Sequence, residues 1–188
     1  MNTIRLARQT DAADLLSIYI PYILHSAFTF ETEVPSIENF GERIVSYQQS
    51  WPWLLYESDG IIAGYAYATK HRERAAYQWC VESSVYVDEN FQRQGVAKAL
   101  YTALFAILKH QGYRNVYAGI TVPNEKSVVF HKKFGFSWLA DYKNIGYKLN
   151  RWNTVSWWEL QLNLYSDDPA APVKLPAVSG EFLERVLQ

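Results

Sequence analysis

Apolar and polar positions alternate through residues 3–8, TIRLAR, which predicts a first strand. Thr10 stands where a helix N-cap is expected, with Asp11 and Asp14 in the anion-favouring first turn. Leu15, Ile18, Tyr19 and Tyr22 then share a helical face, and Pro21 predicts a break or kink within it. The stretch SAFTFETEVPS reads as an aromatic and polar loop whose last residue, Ser36, caps a second helix carrying Phe40, Ile44 and Tyr47. Two strand-like runs, WPWLLYE and IIAGYAYAT, flank Ser58-Asp59-Gly60, a hairpin signal. AYQWCVESSVYVD is a longer strand in which a bulge is expected.

Helical spacing returns at Val96, Leu100, Leu104 and Leu108, and Gly112 is placed to end that helix. NVYAGIT is a strand, and Asn124 caps a helix that stops near Phe134-Gly135. Two last strands follow, with Asn150, Arg151, Trp152 and Asn153 expected between them. The order β-α-α-β-β-β-α-β-α-β-β predicts the α/β (α+β) class: a mixed, mostly antiparallel sheet flanked by helices on both faces. Residues 1–165 are expected to form one domain. Residues 166–188, with three of the seven prolines, are expected to be a tail and not a separate domain.

Composition narrows the function classes. A chain of 188 residues suits one α/β domain, and a net charge of −1 without a basic run lacks the footprint of a nucleic-acid binder. No apolar run reaches the roughly 18 residues of a spanning helix, and the N-terminus lacks the organisation of a signal peptide. A lone Cys80 suits a reducing cytoplasm. Aromatics make up 16% of the chain, which points to apolar pockets or a sizeable interface.

The stretch DENFQRQGVAKAL carries the first chemistry. Gln92, Arg93, Gln94 and Gly95 stand at the start of a helix, where unpaired N–H groups and the helix dipole make an anion site. Gly95 lets a ligand approach the backbone, and Arg93 and Lys98 add positive charge. The spacing fits neither the dinucleotide fingerprint nor the P-loop.

QRQGVA, placed between the strand SSVYVD and a helix, resembles the pyrophosphate loop of the GNAT superfamily of acyl-CoA-dependent N-acyltransferases. NEKSVVFHKKFGF is similar to that superfamily's second signature, an Asn-capped helix with a Gly-Phe turn. RAAYQWCVESSVYVDENFQRQGVAKALYTAL and IGYKLNRWNTVSWWELQL narrow the resemblance to phosphinothricin and methionine sulfoximine/sulfone acetyltransferases, over about residues 3–164.

The resemblance implies acetyl-CoA as co-substrate. Val85, Tyr86 and Val87 would meet the pantetheine arm and acetyl carbonyl, Arg93, Gln94, Gly95, Val96, Ala97 and Lys98 the pyrophosphate, and Asn124 and Lys133 the cofactor from the following helix. Glu82 would be the general base, a carboxylate in an apolar strand that takes a proton from an amine mostly charged at neutral pH. His131 occupies the position from which the CoA thiolate would receive a proton, water being the alternative. Substrate contacts are implied at Arg72, Glu73 and Arg74, whose two arginines are expected on one face of an extended segment, and again at Glu82, Ser83 and Ser84. Phe28, Phe30, Glu31 and Tyr77 are candidate pocket walls, while Trp79 and Cys80 read as core. The four histidines form no metal-ligand spacing, and no metal is expected.

The expected reaction is direct acetylation of the α-amino group of a small amino-acid analogue. Acetylation of another small amine and a non-catalytic acyl-CoA sensor are the alternatives; two arginines disfavour a polycation, and a sensor needs neither Glu82 nor His131. The aromatic strand TVSWWELQL and the resemblance together imply a homodimer.

Overall fold

The computed structural model describes residues 2–187. In chain order the elements are β1 (Asn2–Leu6), α1 (Ala12–His25), α2 (Ile37–Gln48), β2 (Trp53–Ser58), β3 (Ile61–Lys70), β4 (Cys80–Val87), α3 (Val96–Gln111), β5 (Asn115–Val122), α4 (Glu125–Phe134), β6 (Ser137–Lys148), β7 (Arg151–Gln161) and α5 (Gly180–Val186). The strands form one sheet in the order β1-β2-β3-β4-β5-β7-β6. Every pairing is antiparallel except β4 with β5, which is the mixed, mostly antiparallel arrangement the element order predicts.

Side-chain alternation sorts the strands into two cores. Leu54, Ala66, Val81, Val116 and Ala118 pack with α3, whereas Leu55, Tyr65 and Trp53 pack with α1 and α2. The α3 face is mixed: aliphatic residues from the sheet and helix meet an aromatic group of Tyr101, Phe105, Phe134 and Phe136. The α1/α2 face is aromatic, with Trp53 stacked on Tyr67 at 4.2 Å and on Tyr65 at 5.8 Å.

Local chemistry explains most of the element boundaries. Asp59 and Gly60 turn the β2–β3 hairpin with φ of 50° and 81°. Ser36 Oγ accepts the Asn39 N–H at 3.1 Å, and Gly112 and Gly135 close α3 and α4 in the left-handed region. Several boundaries differ from the sequence reading. Thr10 lies inside a single 3₁₀ turn, and Asp11 organises the start of α1: its carboxylate accepts the Arg8 N–H at 2.6 Å and two guanidinium bonds from Arg5 at 2.7 and 2.9 Å. Helix α1 continues through Pro21 to His25. The expected bulge is absent from the β3–β4 ladder, because residues 75–77 coil into a 3₁₀ turn before β4 begins; the irregularities fall in β2–β3 and β6–β7. Leu149 and Asn150 make the last hairpin turn, with φ of 54° and 58°, so Arg151, Trp152 and Asn153 belong to β7.

The tail returns to the domain. Leu175 and Val178 are buried, Phe182 and Leu183 of α5 pack on the α3 core, and Phe182 stacks on His110 at 3.9 Å. Gln111 Nε2 donates at 2.8 Å to both Ser50 and Val173 carbonyls, tying the end of α3 to the tail.

Candidate active site

The site begins with a fork in the sheet. β4 and β5 pair only at Cys80–Asn115, Val81–Val116 and Glu82–Tyr117. Beyond Glu82 they diverge, while β4 stays paired to β3 as far as Val87. Among the described residues the β5-facing edge of residues 83–87 therefore has no strand partner; Tyr22 Oη donates to the Val87 carbonyl at 2.8 Å, and the backbone groups left over on this edge are where a ligand can bind. The split opens a slot of about 840 Å³. Ser83, Val85, Ala118, Ile120, Tyr101 and His131 line it from the α3/α4 side, and Tyr86, Gly119, Tyr22 and Phe28 from the other.

One end of the slot reaches the start of α3. Gly95, at φ 87°, and Arg93, at φ 63°, curl the turn that delivers the helix N-terminus. A Cβ built on Gly95 would meet nothing within 4 Å, so the space above it is open. Ala99 is the first residue whose N–H closes a helical bond, back to Gly95, leaving the N–H groups of Val96, Ala97 and Lys98 outside the helical ladder. Arg93, Val96, Ala97, Lys98, Asn124 and Lys133 border the slot here. Gln94 does not; its amide turns away to the Asn90 carbonyl at 2.8 Å. Asn124 Oδ1 caps α4 through the Ser127 N–H at 3.2 Å, which leaves its amide group for a ligand. These features suit a pyrophosphate with a long, flexible arm running down the slot.

His131 sits on the α3/α4 side, 4% exposed. Its Nδ1 donates to the Ser127 carbonyl at 2.8 Å, so Nε2 of the neutral ring is the acceptor for Tyr101 Oη at 3.3 Å. Ser83 Oγ in turn donates to Tyr101 Oη at 3.3 Å. Burial holds the His131 pKa below 6.5, partly opposed by the bond to Ser127. Burial likewise raises the Tyr101 pKa.

Glu82 is on the opposite side of the sheet from this chain, because its neighbour Ser83 points to Tyr101. It lies at the vertex of the fork rather than in the slot. The surroundings are not the apolar strand expected: His71 Nδ1 donates to Glu82 Oε1 at 2.9 Å, and an Arg72 guanidinium nitrogen is 3.7 Å from the same oxygen.

Residues 71–74 are a bend, not an extended strand, which corrects the reading of Arg72 and Arg74 as sharing a face. Arg72 turns inward toward Glu82 and over the Trp157 ring at 5.9 Å. Glu73 pairs with Lys70 at 3.1 Å, and Arg74 is exposed at the start of the 3₁₀ turn. None of the three borders the slot.

The candidate walls also separate. Phe28 lines the slot, but Phe30 lies over Gly146, where any Cβ would run into its ring. Glu31 pairs with Arg43 at 2.5 Å and accepts from Tyr19, and Lys148 Nζ donates to the Thr29 carbonyl at 2.7 Å. The loop after α1 is thus pinned to β6, with Phe28 held at the slot. Tyr77 is exposed, edge-on to His71 at 6.3 Å. Trp79 is half-buried and donates to the Ala170 carbonyl at 2.9 Å, and Cys80 is half-buried beside Tyr117.

His71, Tyr101 and Tyr117 were not singled out from the sequence. Tyr101 falls on the buried stripe of α3, where it reads as core, and His71 has no periodic context at all.

Comparison with known proteins agrees with this geometry. Residues 4–157 match the family model described as an acetyltransferase (GNAT) domain. The phosphinothricin N-acetyltransferase of Streptomyces viridochromogenes is 36% identical over 171 residues, 91% of this chain and 92% of that protein. The L-methionine sulfoximine/L-methionine sulfone acetyltransferase of Salmonella typhimurium is 30% identical, over 90% of this chain and 98% of that one. Among solved structures, the phosphinothricin acetyltransferase of Sinorhizobium meliloti in complex with acetyl-CoA superposes with a TM-score of 0.85 at 27% identity, covering 90% of this chain and 93% of that one.

Proposed function

The chain belongs to the GNAT acetyltransferase family, and from that footing we propose that it moves the acetyl group of acetyl-CoA onto the α-amino nitrogen of a small amino-acid analogue. Phosphinothricin, methionine sulfoximine and methionine sulfone are the substrate class, the first suggested by the Streptomyces relative and the other two by the Salmonella one. The observation that carries the reading is the slot itself, with the open N-terminus of α3 at one extreme and a carboxylate at the vertex of the fork.

Acetyl-CoA supplies an activated thioester. Arg93, Lys98 and the free N–H groups of α3 hold its pyrophosphate, and Asn124 and the β4 edge at Val85–Val87, which has no strand partner on the β5 side, hold the arm that leads to the thioester. The amine approaches from the Glu82 side. Glu82 takes a proton from the ammonium form, directly or through one water, and so frees the nitrogen lone pair. Attack is direct, in a ternary complex: Cys80 is the only thiol in the chain, and burial lifts its pKa above the usual range, which makes it a poor nucleophile.

On the other side of the slot the neutral His131 keeps its proton on Nδ1, bound to Ser127, and accepts at Nε2. Ring and hydroxyls therefore orient the wall near the departing sulfur, and the thiolate takes its proton from water. Arg72 is the cation nearest Glu82 and the better placed of the two arginines to meet a substrate carboxylate.

The reading includes a cytoplasmic homodimer. β7 is paired on both edges, with Trp158 buried, so the strand TVSWWELQL offers no free edge for pairing. Support comes instead from the edge strand β6 and the start of β7, where Trp138, Ile145, Tyr147 and Trp152 stand 56%, 56%, 58% and 63% exposed, a large apolar face for a second copy.

The deciding experiment measures acetyl-CoA consumption with amino-acid analogues and polyamines side by side. Turnover of methionine sulfone or phosphinothricin well above the polyamines supports the proposal. A preference for polyamines, or cofactor binding without turnover of any amine, sinks it in favour of the two alternatives.

A further inference from the structure

His71 is the closest partner of Glu82, and the two carboxylate oxygens are unequally engaged. Oε1 accepts from His71 Nδ1 at 2.9 Å and faces Arg72 at 3.7 Å. Oε2 has no hydrogen-bond partner among the described residues. A carboxylate only accepts, so Nδ1 carries the shared proton.

The imidazole is itself held from several sides. It stacks on Tyr117 at 4.4 Å with an interplanar angle of 25°, and Trp157 and Tyr77 stand edge-on at 6.0 and 6.3 Å. Only 14% of its side chain is exposed, although it sits in a bend between β3 and a 3₁₀ turn. Lys70 and Glu73 close that bend from outside. Tyr117 is the β5 partner of Glu82, so the vertex of the fork, the ring and the carboxylate form one packed unit. A glutamate carboxylate left to itself rotates through a broad terminal torsion and offers either oxygen.

Building on the reading of Glu82 as the base, we infer that His71 is its positioning residue: it anchors Oε1 and leaves Oε2 as the oxygen presented to the amine. In the proton transfer the ammonium N–H bond breaks and an Oε2–H bond forms, the nitrogen keeps the electron pair, and Glu82 becomes neutral. His71 retains its Nδ1–H throughout and ends as it began.

Two substitutions separate positioning from packing. His71→Phe keeps a ring on Tyr117 and removes the donor, whereas His71→Asn places an amide N–H near the Nδ1 position and removes the ring. With methionine sulfone as acceptor, His71→Phe lowers kcat by about tenfold or more, with the acetyl-CoA KM unchanged, while His71→Asn stays within about threefold of wild type, since misorientation alone can forfeit that much rate. In a Glu82→Gln background His71→Phe adds little further loss, because the two act through one step. The reverse ranking, Phe harmless and Asn damaging, makes His71 a packing residue and overturns the inference, as does a full additional loss in the Glu82→Gln background. Glu82→Gln with wild-type kcat defeats the base assignment itself. Glu82→Gln inactive with His71→Phe fully active defeats only the role of His71. Nitrogen-15 NMR of the imidazole gives a readout independent of turnover: a protonated Nδ1 whose resonance moves on Glu82→Gln is expected, and a ring protonated on Nε2 alone contradicts the pair.

Discussion

The two faces of the split sheet meet at one slot but are built by different means. On the α3 side the groups available to a ligand are largely backbone: the N-terminus of α3 and the unpaired edge of β4, with His131 and Tyr101 buried behind them. On the α1/α2 side the polar groups are side chains from separate places, with His71 and Arg72 in a bend, Glu82 on β4, Tyr117 on β5 and Trp157 on β7. A backbone site needs one turn and one glycine. A side-chain site needs several elements to arrive together, so small changes there alter chemistry before they alter the fold.

Glu82→Gln should produce the largest effect on that contrast. The amide oxygen can still accept from His71, so the local geometry survives while the proposed base is lost. We expect kcat to fall by about 10²-fold at neutral pH, with acetyl-CoA affinity by calorimetry unchanged, and the loss to lessen under alkaline conditions where more of the amine is already neutral. Undiminished kcat at neutral pH would remove Glu82 from the mechanism.

On the other face, Gly95→Glu should weaken acetyl-CoA binding by about tenfold or more, placing bulk and negative charge against a helix N-terminus. Gly95→Ala separates the contributions, since its Cβ enters open space and only the positive φ is strained. If calorimetry shows the same affinity for a folded Gly95→Glu protein as for wild type, the anion site lies elsewhere.

Arg72→Ala and Arg74→Ala sharpen the acceptor side from within. Only Arg72 reaches the Glu82 vertex, and a charge-assisted hydrogen bond is worth roughly 1.5–3 kcal/mol. The acceptor KM should therefore rise by about tenfold for Arg72→Ala and clearly less for Arg74→Ala, with the acetyl-CoA KM steady in both. Equal effects would mean that the bend rearranges when substrate enters.

The smallest expected effect lies away from the slot. Asp11→Asn should lower stability in urea by about 1 kcal/mol near neutral pH. The hydrogen bond from Arg5, followed by that from the Arg8 N–H, outweighs burial and holds the Asp11 carboxyl below its ordinary 3.8. The stabilisation is thus complete above about 3.8 and is lost as pH falls through the lowered value, so the gap between wild type and variant should close in acid. A gap unchanged into strong acid would show that the carboxylate is not its source.

Features that depend on near neighbours are legible along the chain. Periodicity, Ser36, Asn124, Asp59-Gly60, Gly112 and Gly135 specify strands, helices and their ends through contacts a few residues long, and QRQG marks the turn that starts α3 for the same reason. Tertiary structure alone decided the fork beyond Glu82, since two strands with ordinary strand patterns do not record where their pairing stops. It also decided that Arg72 turns inward while Arg74 stays out, that β7 lies inside the sheet, and that His71 meets Glu82 from eleven residues away. Those outcomes depend on which elements pack together in space, a relation that no spacing along the chain encodes.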